Sequence, residues 1–396
     1  MNKHLLSLAL VSGLFLTTGC SDEQTAGTTD INEPVKMQIA PRVTLTRSVI
    51  DGGAQSADGA TLMQNIAVYA QSATTNTAAK KNNYAVYTQS SGSWNTTGND
   101  EIFLTSEAAT VYAYYPAYQP GVNKEYATST ALKLSGDADA NSTIDLSVYT
   151  GGAGTDANYT IAAISNADKI YSSGWVDNTV ADKAKIASAP GEIDYMWGTS
   201  NPATVDNGKG SGAKGKTAAL TMNHALALVS FRIYNDGTYN YNAALTQIKL
   251  ENNAGNTTLS EANGHQMNIS TGVISGGTAK AATYIRKVSG YTMIQTAASD
   301  AATTATTDAK AAAASKKLSM LVLPATIVSA GQVKATFTID GVDYSVNLTT
   351  DQTDAQKWER GKNYLYTVKL GGQGLIIGSI TVVDWSPVDG GNMEIN

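Results

Sequence analysis

Short alternating runs of apolar and polar residues recur along most of this chain, separated by clusters of Gly, Asn and Ser. The first lies at 35–47. It reads Val35-Lys-Met37-Gln-Ile39, then Pro41, then Val43-Thr-Leu45-Thr-Arg47. Apolar residues alternate on both sides of the proline, the pattern of an edge strand, because a proline has no N–H to donate to a ladder. Similar runs follow at 66–69, 84–87, 101–104 and 110–114. Turn-forming clusters such as Gln89 to Asn95 separate them and suit hairpins. The stretch 135–215 is rich in Gly, Ala, Asp and Asn and weakly patterned, and it reads as long loops within or closing a first domain. Lys209 to Lys216 is Gly/Lys-rich and reads as a linker. Beyond it, Ala225 to Ile233 opens with five apolar residues and goes on as Ser230-Phe-Arg-Ile233, and 245–250 continues the strand signal. An Ala/Thr-rich stretch at 297–315 reads as a loop or one short helix. Strand signals then close the chain at 320–323, 332–339, 343–348, 364–370 and 375–385.

Many short strands with turn signals predict an all-β chain of antiparallel sandwiches. The 396 residues suit two domains once the N-terminal segment is set aside. The expected organisation is 1–20 as a signal peptide, 21–47 as a propeptide with a removable strand, and sandwiches at 48–215 and 216–396.

Composition sharpens this picture. Charged residues make up 15% and hydrophobic residues 42%, so sizeable cores can be buried. The 20 Tyr against 4 Phe suit half-exposed sheet faces, where a ring needs one apolar and one wet end. A net charge of -6 supplies no basic footprint, so no nucleic-acid partner is expected.

The start of the chain is a targeting segment. Lys3 and His4 precede an apolar run from Leu5 to Leu16, too short to span a membrane, and Thr17-Thr18-Gly19-Cys20 follows. Small residues directly before a cysteine fit lipoprotein processing, with Cys20 carrying the lipid. Thr17 stands where leucine is usual. Cys20 is the only cysteine, so an intrachain disulfide is impossible. Attachment to the outer membrane would then come through lipid on Cys20.

Candidate chemistry is thin. After the first segment the histidines are His224, at the head of a core strand and expected to be buried and hydrogen-bonded, and His265, in a turn-like Asn-Gly-His. Neither has the spacing of a zinc site. No Gly-x-Ser-x-Gly elbow or Walker loop is present. The expectation is a chain without enzymatic activity or cofactor. One weak cation candidate is Asp137, Asp139, Asn141 and Asp145, which match oxygen positions of a calcium loop. Ser142 replaces the turn glycine and Val148 the bidentate glutamate, so a solvated acidic loop is the preferred reading.

Several motifs occur in a telling order. They are the lipoprotein start, Thr46-Arg47-Ser48, Val111-Tyr-Ala-Tyr-Tyr-Pro116, Asn223-His-Ala-Leu-Ala-Leu-Val-Ser-Phe231, Leu323-Pro324, Trp358-Glu-Arg-Gly-Lys-Asn-Tyr364-x-Tyr366-Thr-Val368 and Ile380-x-x-x-x-Trp385. In this order and spacing the chain resembles the fimbrillins, the pilins of Bacteroidia fimbriae. The resemblance implies two tandem transthyretin-like sandwiches and export as a lipoprotein. It also implies trimming at an arginine by an Arg-specific surface protease, and head-to-tail polymerisation with other copies and with accessory pilins. Trimming after Arg47, or alternatively Arg42, would remove a strand carrying Val35, Met37, Ile39, Val43 and Leu45. Trp385, Val388, Met393 and Ile395 would then supply a donor strand to a neighbour's groove. The mature subunit would reside in an extracellular fimbrium that supports adhesion. The alternative is a non-polymerising anchor, tip or glycan-binding surface lipoprotein, which would need no cut.

Overall fold

The computed structural model describes residues 30–43, 50–51, 61–62, 65–72, 83–90, 93–96, 101–117, 142–146, 194–260, 265–277, 281–295, 311, 315, 317–327, 331–348 and 357–384. The chain is all-β, arranged in several sheets over two hydrophobic cores.

Alternation makes the first sheet. In the strand Thr217–His224, Ala218, Leu220, Met222 and His224 point inward and are buried, while the residues between them are not. This period of two is what a half-buried strand requires. The sheet has seven strands in the order Gln38–Val43, Thr217–His224, Met196–Val205, Ala109–Tyr115, Asn65–Ser72, Tyr84–Ser90 and Ser93–Thr96. Only the first pair is parallel. Tyr69, Tyr84 and Tyr114 cluster on it, with ring centroids 4.6 Å and 6.3 Å from Tyr69.

Two corrections arise here. The strand Met196–Val205 occupies the middle of the sheet, although 135–215 reads as loop. Its sequence hides it. Pro202 lies where the pairing with Ala109–Tyr115 skips from Thr199 to Thr204, and this irregularity accommodates a residue without an N–H. Gly198 gives no apolar signal, yet it packs so closely that a methyl group there would overlap the Met222 sulfur. The second correction concerns the segment Lys209 to Lys216. It is the turn of a hairpin joining Met196–Val205 to Thr217–His224, not a linker between domains. A break at 215/216 would cut this hairpin in two. The chain passes to the second set of sheets only after His224.

The second half is a sandwich. One sheet runs Ile294–Gln295, Ala227–Asn235, Lys362–Gly371, Gly374–Asp384, with Lys317–Val322 also pairing along Ala227–Asn235. The facing sheet runs Thr283–Thr292, Ala244–Asn252, Val333–Ile339, Val342–Asn347. Phe231 of the first meets Phe337 of the second edge-on at 5.3 Å, and Tyr366 stacks on Phe231 at 5.6 Å. Trp358 is fully buried and donates its indole N–H to the Tyr366 hydroxyl at 3.0 Å.

The two cores are stitched together by chain exchange. Along Ala227–Asn235, Ala227, Val229 and Phe231 join the second core, whereas Leu226 and Leu228 join the first with Leu321 and Leu323. The hairpin formed by His265–Asn268 and Ile274–Gly276 leaves the second half and pairs with Thr143–Asp145, placing Met267 and Ile269 in the first core. Its tip is held by Arg360, which donates to the Thr271 carbonyl at 2.6 Å and lies 5.7 Å from the Trp197 ring centroid. Gly272 at this tip has φ of 65°, and a methyl group there would overlap the Trp197 indole. Gly272→Ala is therefore expected to destabilise the protein by about 2 kcal/mol, combining left-handed strain with overpacking. Chemical denaturation measures this, and an unchanged midpoint would contradict the packing.

Candidate assembly site at the N-terminal edge strand

The segment 30–43 is laid across the first core. A turn opens it, with Asn32 N–H donating to the Asp30 carboxylate at 2.9 Å and Glu33 N–H to the Asp30 carbonyl at 3.1 Å. Val35–Lys36 then pairs antiparallel with Phe103–Leu104. Met37 N–H donates to the Ile102 carbonyl at 2.8 Å, and Lys36 meets Glu101 at 2.5 Å. From Gln38 the chain changes neighbour. Gln38–Val43 runs parallel to Thr217–His224, with Gln38 opposite Thr217 and Val43 opposite Met222.

Among the described residues this strand is an edge of the seven-stranded sheet: it pairs there with Thr217–His224 alone. Pro41 stands opposite Leu220, a position an edge tolerates. Met37 is fully buried and Ile39 is 8% exposed. The Tyr87 hydroxyl donates to the Met37 carbonyl at 3.1 Å from across the core. Burial raises the Tyr87 phenol above its usual value, with a smaller push from Glu101, so it stays a donor.

Of the five expected groove fillers, Met37 and Ile39 are buried and Val35 is half-buried. Val43 is in the ladder opposite Met222. Leu45, the expected cleavage position Arg47 and Cys20 lie outside the described residues, as do the donor candidates Trp385, Val388, Met393 and Ile395. The chain reaches them from Gly374–Asp384, an edge strand whose Asp384 lies opposite Lys362. Arg42 is hydrogen-bonded into the ladder opposite Thr221, a placement that shields its peptide bonds.

The other sequence candidates are placed as follows. His224 is buried and its Nδ1 lies 2.9 Å from the Asp194 carboxylate. Burial raises the Asp194 carboxyl and His224 opposes that rise. The pair stands where the first sheet hands the chain to the second sandwich, as expected of a structural histidine. His265 begins the strand His265–Asn268. Asp137, Asp139 and Asn141 lie outside the described residues. Asp145 accepts a hydrogen bond from Gln266 at 2.8 Å. Among the described residues no group of three or more His, Cys, Asp or Glu is placed to hold a metal ion.

Sequence reasoning missed the hairpin turn at 206–216 as part of this site. The Asp206 carboxylate accepts backbone N–H groups of Gly208, Lys214 and Gly215 at 2.8, 2.7 and 3.0 Å. Burial alone would raise this carboxyl, but those hydrogen bonds and Lys214 win and hold it below its usual range. Asn207 is buried, and its side chain reaches the 30–33 turn. The signal was the Asp206-Asn207-Gly208 triplet, which is turn chemistry between two strands.

The fimbrillin-like family model matches residues 153–385, more than half of the chain. The chain belongs to the fimbrillin-like family. Membership supports a fimbrial subunit role at the cell surface, in assemblies with its own kind and accessory subunits. Among curated proteins, none matches the chain. Solved structures do. A proposed cell adhesion protein from Bacteroides ovatus ATCC 8483 aligns with TM-score 0.50 and 14% identity over 90% of this chain and 99% of its own. A fimbrial protein from Bacteroides vulgatus ATCC 8482 aligns with TM-score 0.47 and 14% identity, covering 89% and 100%. The tip fimbrial protein Mfa3 from Porphyromonas gingivalis, with a C-terminal truncation, aligns with TM-score 0.40 and 11% identity, covering 84% and 97%. At these identities the likeness to the first of them speaks to fold alone.

Proposed function

We propose that this fimbrillin-like chain is a polymerising stalk subunit with a structural rather than catalytic role. It is exported as a lipoprotein through Cys20 and matured by an Arg-specific cut after Arg47. It then assembles when a neighbour's C-terminal strand replaces Gln38–Val43. The observation that carries this reading is the edge strand itself. Among the described residues it is joined to its sheet on one side only, and Ile39 within it and Met37 just before it are buried. Its removal would uncover the 217–222 backbone and an apolar groove, and both are satisfied at once by an added strand. A head-to-tail contact of this kind does not close on itself and so builds a filament.

A second reading, a non-polymerising anchor or tip lipoprotein, makes a different prediction for the cell surface. Immunogold electron microscopy with antibody against this chain is expected to label fimbriae along their whole length. Label confined to one end of each fimbria would favour the second reading.

A further inference from the structure

The N-terminal segment is bound by more than its strand pairing. The Asn207 amide donates one hydrogen to the Ile31 carbonyl at 2.7 Å and one to the Glu33 carbonyl at 3.0 Å. Its own amide oxygen accepts Lys209 N–H at 3.1 Å, and its backbone N–H donates to the Thr105 carbonyl at 2.8 Å. Two polar groups of Asn207, the side-chain oxygen and the backbone N–H, are thus fixed by the scaffold, so the amide is aimed at the segment before the segment arrives. Lys209 adds an ion pair with Glu33, and Ser106 donates to Asn32 at 2.8 Å. At the far end of the same hairpin, the Lys216 carbonyl accepts Gln38 N–H at 2.9 Å. Asp206 braces the turn that carries all of this.

We infer that the 206–216 hairpin is a binding site for the propeptide backbone, with Asn207 as its centre, so that cutting the chain and releasing its N-terminal strand are separate steps. This rests on the maturation reading above. After a cut following Arg47, residues 30–33 remain clasped by Asn207 and Lys209, and the strand from 35 to 43 stays in its groove. The clasp holds the segment at the end away from the cut. A donor strand therefore has to displace a bound peptide rather than fill an empty groove, which keeps a cleaved subunit capped until a partner arrives.

The informative variant is Asn207→Asp. It keeps the oxygen that accepts Lys209 N–H and removes both donors to Ile31 and Glu33. Hydrogen exchange of the uncut full-length precursor reads the clasp directly. The variant is expected to exchange about tenfold faster over 31–38, the effect of losing two backbone-directed hydrogen bonds, with 362–371 in the second sandwich unchanged. Equal exchange over 31–38 would overturn the clasp. Should Asn207→Asp also disturb 362–371, Lys209→Ala reads the same amides through its surface ion pair alone, with an expected increase of about twofold. Equal exchange there would overturn it too. In a second arm the precursor is digested with an Arg-specific protease and the fragment ending at Arg47 is followed by native mass spectrometry. It is expected to stay bound in the wild type and dissociate about tenfold faster from Asn207→Asp. Equal dissociation rates would overturn the inference. If no fragment ending at Arg47 forms, the maturation reading fails, and the exchange arm alone decides the clasp.

Discussion

Cells expressing the Arg42→Ala, Arg47→Ala double variant are expected to carry no fimbriae built from this chain, and the subunit is expected to run as a monomer with no polymer ladder. The reason is topological. While the chain is intact, Gln38–Val43 occupies the edge next to Thr217–His224, and Met37 and Ile39 fill the groove. Each fully buried side chain of this size stabilises its site by about 1.5–3 kcal/mol, so a tethered strand holds the groove against any free donor. The other arginines offer no substitute cut. Arg232 sits in a strand paired on both sides, Arg286 is buried within a ladder, and Arg360 lies in the turn holding Thr271 and Trp197. The single Arg47→Ala variant should retain residual assembly only if Arg42 is cut, which requires opening the ladder opposite Thr221 first. A laddering gel and negative-stain microscopy check this. Normal filaments from the double variant would end the maturation reading.

His224→Ala is expected to lower the stability of the purified precursor by about 3 kcal/mol. This is the scale for removing one partner of a buried pair. Asp194 and His224 are both buried, and the carboxyl that burial already raises would lose the group that opposes the rise. The damage falls at a junction, because Met196 pairs opposite His224 and Ala225 N–H donates to the Tyr195 carbonyl just beyond. Adding Asp194→Asn should recover part of the loss by removing the stranded charge. Urea denaturation measures both. A loss below about 1 kcal/mol for His224→Ala would mean that the pair contributes little.

Much of this architecture was legible because most strands carry either an apolar alternation or, where both faces are buried, a run of apolar residues. Tyr84 to Tyr87, Thr110 to Tyr114, Ala227 onward and Tyr364 to Leu370 all read as strands and are strands. The edge character of 35–43 was legible from Pro41 between two alternating runs. What escaped was set by long-range packing. Met196–Val205 carries a glycine and a proline that a sequence reading scores as loop, yet the sheet tolerates both through a close approach and a pairing skip. The hairpin 265–277 belongs by sequence to the second half, yet Met267 and Ile269 pack in the first core. No local pattern announces that exchange. The Gly/Lys-rich segment at 209–216 looked like a linker because exposed turns and linkers share a composition, and only the side chain of Asn207, one residue upstream, reveals its task.

On the maturation reading, an assembled subunit has given up the strand that the precursor carries at 38–43. The most direct test is the N-terminal sequence and intact mass of the subunit taken from purified fimbriae. The fimbrial subunit is expected to begin at Ser48, with residues 20–47 and their lipid absent. A fimbrial subunit that still begins at a lipidated Cys20 and retains Gln38–Val43 would contradict it.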